Sequence, residues 1–144
     1  MSEKIVVAYD GSDSAQRAVD LAIARASANG AEVVVAHILE WSPYSFLTPS
    51  EIEERHKRRT EELDRAETAI LAPVLDRFAK AGVSVSSELR YGHIAETLCT
   101  IATENSASEM IIGRTGHSSL SSRIFGSVAG TLAQAAPCAV TIVP

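Results

Sequence analysis

Four short apolar runs do most to decide what this chain can fold into: Lys4 to Tyr9, Glu32 to Leu39, Met110 to Ile112 and Ala139 to Val143. Their interiors are almost entirely Val, Ile and Ala, so neither face of such a strand can be left in water. A strand apolar on both faces belongs in a parallel sheet covered by helices. After the first run, Ala15, Ala18, Val19, Ala22, Ile23 and Ala26 keep to one side at helical spacing, with Ser12 or Asp13 as the cap and Asn29-Gly30 as the stop. Strands alternating with helices in this rhythm predict an α/β fold, an open parallel sheet with helices on both faces.

The middle of the chain is less uniform. Trp41 to Pro49 reads as a loop with its own small apolar anchor, and Ser50-x-x-Glu53 as a capping box for a helix from Glu51 to about Ala81. The first half of that helix, EIEERHKRRTEELDR, is nearly all charged and reads as a solvated face laced with ion pairs, with a partner-docking surface as the alternative. Ile70, Leu71, Val74, Leu75 and Phe78 give the second half a buried stripe, which Pro73 should kink or break. Val83, Val85, Ser87 and Leu89 alternate with polar residues, as in an edge strand with one wet face. Gly92 then opens a helix that turns Ile94, Ala95, Leu98, Ile101 and Ala102 inward.

The stretch from Ser108 to Ala136 carries the chemistry. Its apolar run breaks at Gly113, a second glycine stands at Gly116 and a third at Gly126, directly before Ser127 and a segment of helical spacing through Val128, Leu132 and Ala133. Strand, glycine-flanked loop, helix is the layout of an anion site. The first N–H groups of a helix have no partner within it and carry partial positive charge, so a phosphate placed there satisfies them. Glycines let the backbone turn with positive φ and let an oxygen approach without meeting a Cβ. An ordinary strand-to-helix connection is the alternative, though such connections usually run about 2–6 residues.

The pattern G-x2-G-x9-G-[S/T], read at Gly113, Gly116, Gly126 and Ser127, resembles the nucleotide-binding signature of the universal stress protein family. The resemblance extends over nearly the whole chain, including IVVAYDGSDSA with Asp10, VVVAHILE, the long middle helix and PCAVTIVP. It implies a Rossmann-like, adenine nucleotide alpha hydrolase-like sheet of five parallel strands in the order 3-2-1-4-5. Ligands in such sheets lie where neighbouring connections leave in opposite directions, here the carboxyl ends of the first and fourth strands. Asp10 and Gly113 stand at those two ends.

The resemblance also implies roles residue by residue. ATP, with AMP or cyclic AMP as alternatives, would rest its phosphates on the amides of Gly116, Gly126, Ser127 and Val128, and its adenosine between Asp10 and Ile38. Asp10 would accept from ribose hydroxyls; its bland reading is a cap before the helix. Ala8 and Ile38 would line the adenine pocket, although as bare sequence they are core, and Ile112 closes the fourth strand beside Gly113. Arg114 and Arg123 would meet phosphate charge or solvent, and His117 would donate to a phosphate or stand exposed. His37 reads as a satisfied core histidine, His56 as one of the surface charges, and His93 lies near a helix start. Mg2+ or Mn2+ would come with the nucleotide, and no metal-binding or catalytic residue is assigned.

A net charge of −5 argues against nucleic acid as the main partner. With 144 residues, 46% of them hydrophobic and 22% charged, the chain is the size and composition of one globular domain, residues 1–144. MSEKIVVAYDG is neither a signal nor a targeting segment and no apolar run is long enough to span a membrane, so a cytoplasmic location is expected. Cys99 and Cys138 match no metal or redox spacing and read as reduced, buried core thiols. The apolar AVTIV at a sheet edge invites pairing, so a homodimer through Val140 to Val143 is expected, with higher assembly left open.

Other nucleotide folds fail on residues. A P-loop needs a lysine, and none follows Lys80. A dinucleotide fold wants G-x-G-x-x-G after the first strand, where this chain has Asp10-Gly11-Ser12-Asp13; a flavodoxin-like phosphate loop would also sit there. A receiver domain lacks its lysine near the fifth strand. The function read from the sequence is an ATP-binding regulatory protein of stress response acting through an unknown protein partner. Its alternatives are a nucleotide-independent dimeric scaffold and a slow ATP-hydrolysing enzyme of related fold.

Overall fold

The computed structural model describes residues 3–40, 48–115 and 127–144. Five strands, β1 (Lys4–Ala8), β2 (Glu32–Glu40), β3 (Val85–Gly92), β4 (Glu109–Gly113) and β5 (Ala139–Val143), form one sheet in the order β3-β2-β1-β4-β5. Every pairing is parallel, with Ala8 opposite Ala36 on one side and Ile112 on the other. Five helices, α1 (Asp13–Asn29), α2 (Pro49–Arg65), α3 (Ala72–Lys80), α4 (Ile94–Glu104) and α5 (Ser127–Ala135), connect them.

Alternation along the central strand divides the core in two. Ile5, Val7 and Tyr9 face α1 and α3, packing on Ala18, Val19, Ala22, Val74 and Phe78. Val6 and Ala8 face α4 and α5, packing on Leu98, Ile101, Ala129 and Leu132. Both faces of β1 are therefore covered, which is why its sequence carries no polar alternation. The alanine stripe of α1 lets that helix lie close to the sheet. Large side chains such as Phe78, Leu98 and Leu132 are almost wholly buried, each contributing roughly 1.5–3 kcal/mol by leaving water.

Helix α1 ends at Gly30, whose φ of 74° lets its N–H reach the Ala26 carbonyl at 2.8 Å. Helix α2 corrects one expectation: its capping box is Thr48 with Glu51, not Ser50 with Glu53, and Pro49 occupies the first turn. Thr48 accepts from the Glu51 N–H at 3.2 Å and Glu51 accepts in return from the Thr48 N–H at 3.3 Å. Proline suits that first turn, where an N–H has no helical partner to lose. Residues 41–47, most of the segment read from the sequence as a loop, lie outside the described residues.

No residue of α2 is buried, as its charge predicts, and Arg58 pairs with Glu54 at 3.3 Å one turn back. Its attachment is polar: Tyr91 on β3 donates to Glu62 at 2.6 Å, and Arg59 lies 5.4 Å over the Tyr91 ring. The helix does not simply kink at Pro73. A π-helical stretch, Ala66–Leu71, joins α2 to α3, and the Ala72 N–H reaches back to the Glu67 carbonyl. Pro73 then falls in the first turn of α3.

Strand β3 is an edge, as its alternation predicts, with no fully buried residue. It runs on to Gly92, opposite Glu40, so Gly92 closes the strand and His93 stands at the N-terminal boundary of α4 without a capping side-chain hydrogen bond. Cys99 and Cys138 are free, but both are half-buried at the margin of the second core rather than inside it. Among the described residues no helix is long and apolar enough to cross a membrane.

Candidate functional site

Because β1 and β4 are neighbours, the residues that follow them meet at one end of the sheet. Asp10 comes two residues after β1 and turns back on its own chain, its Oδ1 accepting from the Ser12 N–H at 2.9 Å and the Ser12 hydroxyl at 2.5 Å. Ser12 in turn caps α1, accepting from the Ala15 N–H at 3.3 Å. Asp10 is thus not the cap itself; it orients the cap.

The end of β4 lies against the same helix start. A Cβ on Gly113 would stand 2.3 Å from the Ser14 Oγ, 2.8 Å from the Ser14 carbonyl carbon and 2.9 Å from the Ala15 nitrogen. The glycine is demanded here by the approach of α1, before any ligand is considered. Two residues on, Thr115 is bound to Ser14: its carbonyl accepts the Ser14 hydroxyl at 2.5 Å, and its N–H and its hydroxyl reach the Ser14 Oγ at 3.3 Å each. Between them, the Arg114 side chain is exposed while its N–H donates to the Val143 carbonyl at 2.6 Å.

Ala8 and Ile112 stand side by side near the carboxyl ends of β1 and β4, with Ile38 on β2 two residues beyond Ala8's other neighbour Ala36, all on the α4 and α5 face. Their exposures of 8–9% are the highest in that core, which marks them as its rim towards the loops. His37 points to the opposite face, its Nδ1 2.6 Å from the Tyr9 carbonyl. A carbonyl only accepts, so Nδ1 carries the proton, and the buried histidine is satisfied as its sequence context predicts.

Helix α5 opens at Ser127, exposed, and Val128, half-buried. Both line a cavity of about 260 Å3 with Glu40, Gly92, His93, Ile94, Ala95 and Thr131, between the ends of β2 and β3 and the first turns of α4 and α5. Neither Asp10 nor Gly113 lines that cavity. Gly116, His117, Arg123 and Gly126 lie outside the described residues. Sequence reasoning passes over Ser12, Ser14 and Thr115 as members of the site; the Asp10-x-Ser12-x-Ser14 spacing at a helix start is the available signal. Among the described residues no three His, Cys, Asp or Glu side chains gather as metal ligands.

This arrangement can be set beside known proteins. The family model of the universal stress protein family matches residues 1–144. A curated relative, the universal stress protein in the QAH/OAS sulfhydrylase 3' region of Thermus aquaticus, is 33% identical over 99% of each chain. Universal stress protein UspA from Lactobacillus plantarum shares the fold with a TM-score of 0.86 at 24% identity, covering 99% of this chain and 97% of that one. A universal stress protein solved in complex with cAMP superposes with a TM-score of 0.71 at 27% identity, covering 99% and 96%. With its sheet order, its whole-chain family match and this degree of identity, the chain belongs to the universal stress protein family.

Proposed function

We propose that the chain binds an adenine nucleotide at the carboxyl ends of β1 and β4 and acts as a nucleotide-dependent regulatory protein of stress response, read by a partner protein. The observation that carries the reading is the placement of Asp10 just past β1 and of Gly113 at the end of the neighbouring β4, where the two connections diverge, with Ser12, held by Asp10, and Ser14 reaching the Thr115 carbonyl. A relative solved with cAMP supports an adenine ligand. ATP is the proposed ligand, with AMP and cyclic AMP as competitors for the same site. Asp10 would take the ribose hydroxyls, Ala8, Ile38 and Ile112 the base, and the amides of Ser127 and Val128 the phosphates, together with Gly116, His117 and Gly126. An exposed helix start at Ser127 suits this role. Mg2+ or Mn2+ would be held by the phosphates it accompanies.

Equilibrium binding of ATP, AMP and cyclic AMP to purified protein tests the proposal, with Gly116→Val as the control that fills the cradle. Absence of binding at millimolar ATP removes it, and turnover measured on the same samples decides whether ATP is hydrolysed. The homodimer belongs to the same reading. Strand β5 lies at the sheet edge with Val140 to Val143 half-buried, and a second copy would cover it. Sedimentation showing only monomer removes the dimer and leaves the nucleotide site standing.

A further inference from the structure

We infer that Glu40 is the protein's own contact for the divalent cation that accompanies the nucleotide, so that the site accepts phosphates carrying a cation and repels bare ones. The inference rests on the nucleotide reading above and adds to it a group that faces the phosphates. Glu40 is the last residue of β2, and it lines the cavity of about 260 Å3 together with Ser127 and Val128, the first two residues of α5. The same space is thus shared by a carboxylate and by the two described residues whose amides are proposed to take phosphate.

Strand geometry brings the ligand past Glu40. Side chains two apart on a strand share a face and follow one another at about 6.5–7 Å. Glu40 therefore comes next after Ile38, proposed to meet the base, on the side of β2 that α4 and α5 cover. Its carboxylate makes no hydrogen bond or ion pair among the described residues. No lysine or arginine stands among the described residues that line the cavity, whose polar side chains besides Glu40 are His93, Ser127 and Thr131. A phosphate tail entering there meets a negative group with no permanent protein cation beside it. A hard divalent cation removes that conflict. Mg2+ keeps several of its waters and is ordinarily held by one or two carboxylates plus the phosphates of its substrate, not by a full cage of protein ligands. One carboxylate beside the proposed phosphate-binding turn meets that requirement. A cluster of three ligating side chains is not needed, and among the described residues there is none.

Glu40→Gln keeps the length and polarity of an exposed side chain and removes only its charge. Calorimetric titration of wild type and Glu40→Gln with ATP, in magnesium chloride and again in excess EDTA, reads the sign of the effect once circular dichroism shows both proteins folded. In magnesium the variant should bind ATP about three- to fivefold more weakly, the size expected for a solvent-exposed charge contact. In EDTA it should bind ATP more tightly by a similar factor, because the repulsion is gone. The preference for magnesium-loaded over bare ATP should therefore shrink about tenfold. Adenosine, which brings neither phosphate nor cation, should bind both proteins equally. A wild type indifferent to magnesium, or a variant that changes ATP affinity by the same factor in both buffers, overturns the role of Glu40. A wild type that binds neither ATP nor adenosine overturns the nucleotide reading itself, a different result from a working site that ignores the cation.

Discussion

Gly113 and Ser14 approach so closely that the glycine has no room for a single methyl group. An added Cβ would lie 2.3 Å from the Ser14 hydroxyl oxygen and within 2.9 Å of helix backbone. Gly113→Ala should therefore lower stability by about 1–3 kcal/mol through overpacking, with or without nucleotide. Because two of the clashing atoms are main chain, Ser14→Gly in the same protein should not restore it. Thermal or urea unfolding of the single and double variants measures both statements.

His37 ties the interior of β2 to the carbonyl of Tyr9 at 2.6 Å, just where β1 gives way to Asp10. His37→Leu keeps the bulk and removes the donor, leaving a buried carbonyl unpaired at a cost of about 1–3 kcal/mol. Urea unfolding should show a lower midpoint with an unchanged slope. A midpoint equal to wild type would mean that water or a neighbouring group reaches the carbonyl.

Tyr91 should make stability fall in strong alkali. Burial, with a smaller contribution from Glu62, raises its phenol from the ordinary value to about 12, despite Arg59 nearby. A group raised on folding stabilises the fold below its unfolded value of about 10. That contribution is lost as pH climbs from there to about 12. Ultraviolet titration of tyrosinate with parallel circular dichroism should show Tyr91 ionising late, and Tyr91→Phe should flatten the decline over that window.

Cys99 and Cys138 should be sluggish thiols in the native protein. Burial raises both, and Cys138 is raised further by Cys99. Fewer thiolates at a given pH mean slower attack. Reaction with a disulfide reagent near neutral pH should be slow in buffer and rise sharply in denaturant. Fast labelling of the folded chain would contradict the half-buried placement.

The sheet is legible in the sequence because burial on two faces leaves a different mark from burial on one: Ile5 to Ala8 and Val33 to Ala36 are apolar throughout, while Val83, Val85 and Leu89 are separated by polar residues. Strand order comes only with the family resemblance, since no run of residues announces its neighbour. The start of α2 is ambiguous because two overlapping frames, Thr48 to Glu51 and Ser50 to Glu53, both spell a capping box, and Pro49 decides between them only once the first turn is known. The π-helical stretch has no sequence signature apart from Pro73 just beyond it. At the site, Asp10 and Gly113 stand out for their place at strand ends. The reason for Gly113 stays hidden, because the helix that crowds it is remote in the sequence, and so does Thr115, whose partner is equally far away.

The pairing of β1 with β4 has a consequence for assembly. Val7 and Ile111 sit opposite each other, yet α1, β2, α2, α3, β3 and α4 all intervene. Bringing them together closes a long loop whose entropy is lost before the contact returns anything. The arrangement of Asp10, Ser12 and Ser14 around the end of β4 therefore exists only once β4 has docked on β1, and a ligand bound there would hold the completed sheet in preference to every partly built one. If the proposed nucleotide binds there, the melting temperature of the entire chain would read out how much ligand surrounds it.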